Sequence, residues 1–550
     1  MDGHPNRHDA SGRQFLLALA VVTVLGAVLR YWAIDFGLPL ITHPDEPLIQ
    51  GPAERMVNER SLDPQWFRYP AFVIDVQAAV IATVRLIDRA IGLSWETSTT
   101  LSYTLGRFVM ASLGVATVWL AGLIGRRVAR TIVGDRERQA VLADAAGLIA
   151  ALLLAVSFIH VKDSHFLKPD VPTGFFTTLA LWLTLRCLDS GATNRRPWLL
   201  AAAAVGLAAS AKYTGAVAGV MPAVALGFAV VQGGDLRAAI GLFVRRAVEM
   251  SAVAVVAFLM VNPYILITPS EFLSIDNGIR AEWLHYRAGH DGAEGNDTWR
   301  WYLLEVWQRG FGPTLTPLVI TGICTAAFSI ARSLRSTGSR GASGQLVPLL
   351  AFVLLYYLSI APYPVRFDRQ LIPILPSLAV LGGLAVVPLA MAFDRVTMIR
   401  QHLRTATAII AAVILLAAGP AFSDSLEWGR TAATTDTRYA ALDWLTTNVA
   451  PGAVVAREWH TPPVAQDGYA DIFVRKLNDQ PPQWYRDNGV AYVILSSFMY
   501  QRYLDDPQTY PDDAAFYIRL LARNAEATFE GANGPDIVIL RLDEALAAFN

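Results

Sequence analysis

The stretch ITHPDEPLIQ, residues 41–50, sets His43, Asp45 and Glu46 between Pro44 and Pro47, directly after the first long apolar run. Adjacent carboxylates beside an apolar segment are desolvated and repel each other. That raises the pKa of at least one and makes it a better proton acceptor. Asp45 is therefore the candidate general base, with Glu46 shaping its setting. The plainer structural alternative is that Pro47 opens a helix and the two acids favour its positive end.

HVKDSHFLKPD, residues 160–170, is a second cluster. Asp163 and Asp170 stand seven apart, which is one face of a continuous helix, although Pro169 and Pro172 argue against continuity. With His165 they are candidates for an acceptor site or a metal shell. Lys168 in the same stretch, Lys212 in SAKYTG, and Arg366 and Arg369 in YPVRFDRQ are candidates for holding a phosphate. Lysine would act as a point charge and arginine as a bidentate fork. The bland alternatives are ion pairs in a solvated loop and anchoring at a membrane interface. Lysine is scarce, with Lys162, Lys168, Lys212 and Lys476 alone among 45 basic residues. Three of the four, Lys162, Lys168 and Lys212, fall in these stretches.

The elements that must position these groups are apolar helices. The 550 residues are 54% hydrophobic and 17% charged, with a mean hydropathy of +0.38. Soluble domains carry about 25% charged residues, so a polytopic membrane protein is indicated. Spans are expected at 14–33, 103–125, 139–159, 171–187, 197–210, 213–232, 247–266, 313–331, 346–361, 371–392 and 405–423, about eleven in all. Segment 69–91, interrupted by Asp75, Arg85, Asp88 and Arg89, reads as a helix lying along the membrane surface. The net charge of −1 gives no footprint for a nucleic acid. Cys187 and Cys324 lie inside apolar runs and offer no disulfide framework. Arginine in place of lysine, with abundant alanine, points to a GC-rich genome and a bacterial inner membrane.

Alternate loops such as GRRVARTIVGDRER and DRVTMIRQHLR are rich in arginine, which places the N-terminus in the cytoplasm. The opposite, outer face then carries the 34–102 loop, the 160–170 cluster, the 267–312 loop and YPVRFDRQ. A tail from 424 to 550 follows 1–423 and reads as a soluble extracytoplasmic α/β domain. DTRYAALDWLTTNV is its amphipathic helix, and PGAVVARE, AYVILSS and DIVILRL are its strands.

In this order and spacing, HPDE, RYP at 68–70, DSHFLKPDVP, AKYTG and RFDRQLIPILP resemble the GT-C membrane glycosyltransferases that use lipid-phosphate sugars. The protein O-mannosyltransferase and aminoarabinose transferase relatives are the most similar. The WLTTNVAPGAVV stretch is similar to their outer domains. The resemblance implies an all-α GT-C-like membrane domain and an inverting transfer from a polyprenyl-phosphate sugar to a hydroxyl of a protein, glycan or lipid. It implies Asp45 as the catalytic carboxylate, Asp170 as the acid before the fourth span, and Lys212 with Arg366 or Arg369 beside the lipid phosphate. RYP departs from a His-Pro-Pro element; Arg68 and Tyr69 stand as acceptor or metal-shell candidates, and His165 stands where arginine is common. No cofactor is required, although a divalent cation bridging Asp45, Asp170 or His165 fits carboxylate chemistry. The competing class is a transporter or flippase of an anionic lipid. It would be expected to show two related halves, and the sequence has no such repeat.

Overall fold

A computed structural model describes residues 7–133, 136–231, 236–288, 292, 294–335, 341–395 and 403–547. Nine described helical stretches are long and apolar enough to cross a membrane, between Gly12–Tyr31 at the start and Thr407–Asn448 at the end. The expected spans at 197–210 and 247–266 form the helices Arg195–Ala211 and Leu236–Val261. The first is short, and the second carries Arg237, Arg245, Arg246 and Glu249 toward its N-terminal end. The chain is a multi-pass membrane protein.

Helix ends differ from expectation where a side chain intervenes. The expected 139–159 span stops at Ala155 and resumes as a short helix, Phe158–Asp163. The Arg30 guanidinium, buried, donates to the carbonyls of Leu154 and Ala155 at 2.9 and 3.0 Å, taking up acceptors that the next turn would have used. The expected 103–125 span is the longer helix Trp95–Ile132. Elsewhere small residues bring helices together. A Cβ at Gly322 would collide with the Leu381 carbonyl, so the Gly312–Arg335 helix lies almost against the Leu375–Gly383 backbone.

The first loop, expected on the outer face, is itself helical. Pro47–Glu59 and Phe72–Ile91 pack on each other and on Trp95–Ile132 through Ile49, Ala53, Met56, Val73, Ile74 and Ile81. Leu86, Ile87 and Ile91 remain exposed on the second helix.

The C-terminal domain, expected on the outer face and termed the outer domain for that reason, holds strands β1 (Val454–Arg457), β2 (Ala470–Phe473), β3 (Val490–Ser496), β4 (Ala527–Phe529) and β5 (Ile537–Arg541), in the order β2-β1-β3-β5-β4. β2, β1 and β3 run parallel, while β5 is antiparallel to β3 and β4. The alternation of strand side chains makes two cores. Val455, Ile494, Ile537 and Ile539 face the helix Thr437–Asn448. Ala456, Val493, Leu495, Val538 and Leu540 face the helices Ser497–Asp505 and Pro511–Leu521. Coverage of both faces explains why these strands read as unbroken apolar runs. The helix Gly419–Ala432 runs across position 423 and links the last span to this domain.

Glu458 follows β1 and is fully buried, its carboxyl taking hydrogen bonds from the Tyr517 hydroxyl and the Leu477 N–H. Burial pushes it up to about 7 from 4.5. The folded domain therefore retains a proton that the unfolded chain releases. Stability should fall by about 3 kcal/mol as pH rises from about 4.5 to about 7, then level off. Urea midpoints of the outer domain in the intact protein, read by hydrogen exchange of β1 and β3 peptides, should show this slope. Glu458→Gln should flatten it, and an unchanged slope in that variant would assign the pH dependence elsewhere.

Candidate active site

The helix Pro47–Glu59 does begin at Pro47, but Glu46, at its N-cap, makes no side-chain capping bond. The two acids instead part company. Glu46 is fully buried and takes a bidentate grip from Arg107, Nε to Oε1 at 2.8 Å and Nη2 to Oε2 at 2.7 Å, plus the Leu167 N–H at 2.9 Å. Arg107 also donates to the carbonyls of Ile34 and Phe36. Asp45 stays partly open and pairs with Arg369 at 3.2 Å. Burial opposes ionisation of Asp45, but Arg369, then Lys168 and Lys212, outweigh it and hold its carboxyl below the ordinary carboxylate range. The expectation that Glu46 would raise its neighbour is therefore corrected: Arg107 takes up the charge of Glu46, and cations dominate around Asp45.

The 160–170 stretch is not a continuous helix. It turns at 164–169 before Asp170 opens the next span, so Asp163 and Asp170 do not share a helix face. The turn directs each acid to its own lysine. Lys168 Nζ lies 2.6 Å from Asp163, and Lys212 Nζ lies 2.7 Å from Asp170, with all four buried. Lys212 can turn inward because the chain breaks there from helix to extended backbone. Gly215 then lies so close to the Ala208 carbonyl that a Cβ would clash. Lys162 pairs with Asp368 at 2.6 Å. Although burial works against it, Lys162 with Arg309 and Lys168 holds Asp368 at about 2.

Arg366 and Arg369 diverge instead of sharing a helical turn. Arg366 lies in irregular chain before the turn Asp368–Leu371, pairs with Asp297 at 2.8 Å and stacks on Trp301. Arg369 alone reaches Asp45. Arg68 pairs with Glu282 at 3.1 Å. Tyr69 lies within electrostatic reach of Asp45, Glu282 and Tyr286, and burial followed by these groups pushes its hydroxyl well up. His165 has both ring nitrogens at backbone carbonyls, Val161 at 2.9 Å and Trp32 at 3.0 Å, and packs on Trp428. It ties the first span to the outer domain and offers no lone pair to a ligand. Among the described residues no three His, Cys, Asp or Glu side chains converge on a metal position. Asp45, Asp170 and His165, expected as alternative bridging ligands, belong to no such group of three.

Reasoning from sequence left four groups without a role. His43 accepts the Asp45 N–H at Nδ1 and turns Nε2 toward Lys168, 3.4 Å away. Glu282 and Tyr286 come from the 267–312 loop. Arg107 could have been found as a lone arginine within an apolar run, which calls for a buried partner.

The outer domain is bolted over this loop. Arg438 donates to the Thr42 carbonyl, Tyr439 donates to Gly37, and Tyr510 bonds Glu294. Trp428 packs on Phe36 and Phe166.

The arrangement of spans, helical first outer loop and outer domain can be compared with known structures. Oligosaccharyltransferase AglB from Archaeoglobus fulgidus, in complex with an inhibitory peptide and a dolichol-phosphate, superposes with a TM-score of 0.54 at 15% identity. The match covers 89% of this chain and 71% of that one. ArnT from Cupriavidus metallidurans bound to undecaprenyl phosphate superposes with a TM-score of 0.51 at 15% identity, covering 95% and 97%. The chain has the fold of the GT-C membrane glycosyltransferases. Within this GT-C fold, residues 138–267 also match the family profile of dolichyl-phosphate-mannose-protein mannosyltransferases. That stretch contains the 160–170 cluster and Lys212. A search among curated protein sequences found no match. The GT-C scaffold thus brings Asp45, Asp163, Asp170, Lys162, Lys168, Lys212 and Arg369 to one end of the helical bundle, under the outer domain.

Proposed function

We propose that this protein is an inverting glycosyltransferase that moves a sugar from a polyprenyl-phosphate donor to an acceptor hydroxyl on the outer face of a bacterial inner membrane. The observation that carries the reading is the Asp45–Arg369 pair, with Lys168 and Lys212 in electrostatic reach of the same carboxylate. A candidate proton acceptor and three candidate anion-binding cations lie together at one site. The lipid phosphate would sit among Arg369, Lys168 and Lys212. The acceptor oxygen attacks the anomeric carbon, the bond from that carbon to the phosphate oxygen breaks, and Asp45 takes the acceptor's proton. The polyprenyl phosphate leaves as a stable anion, and fixed cations stabilise the charge gathering on it. The dolichol-phosphate and undecaprenyl phosphate bound by the two structural neighbours support this donor class.

Donor binding is the test, with undecaprenyl phosphate as the probe. Lys212→Ala alone would strand Asp170 as an unpaired buried charge, so the informative variants are Arg369→Gln and the neutral swap Lys212→Met with Asp170→Asn. Each should weaken binding by roughly ten- to a hundred-fold, the usual loss for a hydrogen bond to a charged group. Wild-type affinity in both would remove the phosphate from this pocket. The orientation rests on the arginine-rich alternate loops. In a background lacking Cys187 and Cys324, cysteines at positions 45 and 470 should label from outside intact cells. Labelling only after permeabilisation would invert the topology and exclude an outer-face reaction.

A further inference from the structure

A cleft of about 430 Å³ runs along the helix Pro47–Glu59, lined by Pro47, Leu48, Glu54, Arg55, Asn58, Glu59 and Trp66 among others. Its size falls within the range of small-ligand sites. One end begins two residues after Asp45, and at 1.5 Å of rise per residue the helix carries the cleft about 18 Å away from it.

Two of its carboxylates are held in place by devices that a surface helix does not otherwise need. Glu54 is exposed, yet it is the end of a relay that starts in the interior. Buried Gln77 donates to Gln50 Oε1 at 2.6 Å and to the Ser102 carbonyl, and Gln50 donates to Glu54 Oε1 at 2.7 Å. Gln65 reaches Glu59 at 3.3 Å from a backbone held at φ 49, in the left-handed region that non-glycine residues avoid. Strain of this kind persists where the surroundings impose it, often at ligand sites. Two donors, Arg55 Nε and Trp66 Nε1, have no hydrogen-bond partner among the described residues.

The chemistry selects a ligand class. Two carboxylates and an amide along one helix offer hydrogen-bond acceptors and donors, and Trp66 supplies an aromatic edge. Two carboxylates against one guanidinium disfavour an anionic acceptor. The backbone of the helix is internally bonded and presents no strand edge for an extended peptide. We propose that this cleft is the acceptor subsite and that it takes a neutral, polyhydroxylated glycan whose terminal hydroxyl is presented to Asp45. This rests on the transferase reading above and adds to it the side of approach and the acceptor class.

The test uses the full-length protein with Leu48→p-benzoylphenylalanine, a lining position that offers the ligand no polar group. It is irradiated separately with neutral glycans, acidic glycans and peptides released from the envelope of the source strain. The peptide containing position 48 should gain masses of whole sugar units from the neutral fraction. Glu54→Gln should raise the acceptor KM about tenfold or more, with kcat and undecaprenyl phosphate binding unchanged. Capture from the acidic or peptide fraction instead, no capture, or an unmoved KM overturns the cleft's role while donor binding stands. Failure of the unmodified protein to bind undecaprenyl phosphate overturns the transferase reading, and the acceptor role of the cleft with it.

Discussion

Asp45→Asn should slow sugar transfer by roughly 10²–10⁴-fold, the usual contribution of a positioned base, while undecaprenyl phosphate binding survives. Asparagine keeps the shape and loses only the capacity to take the proton. Asp45→Glu should recover little, because its carboxylate is fixed by Arg369 at 3.2 Å and an added methylene displaces it. The pH profile gives a second readout. Cations hold the Asp45 carboxyl below the ordinary range, so it remains ionised, and able to accept a proton, down to unusually low pH. The acid limb of activity should lie below that of a free carboxylate, and Arg369→Gln should move it up. The comparison that decides is single turnover from bound donor. Near wild-type transfer by Asp45→Asn would pass the role to Asp163 or Asp170. Those two, however, already lie within 2.6 and 2.7 Å of buried lysines.

Glu46→Gln should act on the fold. Removing one member of a buried ion pair leaves the other charge uncompensated, at a cost of about 3–5 kcal/mol. Here the pair joins three parts of the chain: the first outer loop through Glu46 and the Ile34 and Phe36 carbonyls, the Trp95–Ile132 span through Arg107, and the 164–169 turn through Leu167. Thermal denaturation of the purified protein should show a large drop for Glu46→Gln and for Arg107→Met. The double variant should recover part of the loss, because no unpaired charge remains. A Glu46→Gln protein as stable as wild type but inactive would instead give Glu46 a part in the chemistry.

Sequence reading reached the helical spans and the C-terminal α/β domain, because those follow from hydropathy and from strand alternation, and it singled out the candidate charged groups because they stand where charges are unfavourable. The pairing within the site was out of reach. Asp45 and Glu46 are neighbours in sequence, yet one meets Arg369 and the other Arg107, a choice made by packing between distant segments. Arg366 and Arg369 looked equivalent until irregular chain at 366–367 sent them to different acids. The break at Ala155 depends on Arg30, 124 and 125 residues from the carbonyls it meets, and no local pattern encodes that.

Each lysine or arginine around the pocket already has an acid of its own: Arg369 with Asp45, Lys168 with Asp163, Lys212 with Asp170 and Lys162 with Asp368. Any incoming anion must therefore compete with carboxylates tethered in place, whose effective concentration is high because they belong to the same molecule. Inorganic phosphate or a soluble nucleotide brings only its charge to that exchange. A polyprenyl phosphate also brings its chain, at about 0.8 kcal/mol per methylene removed from water. Under the proposed transfer, the internal pairing works as a selectivity filter that favours phosphates arriving from the bilayer over those arriving from solution.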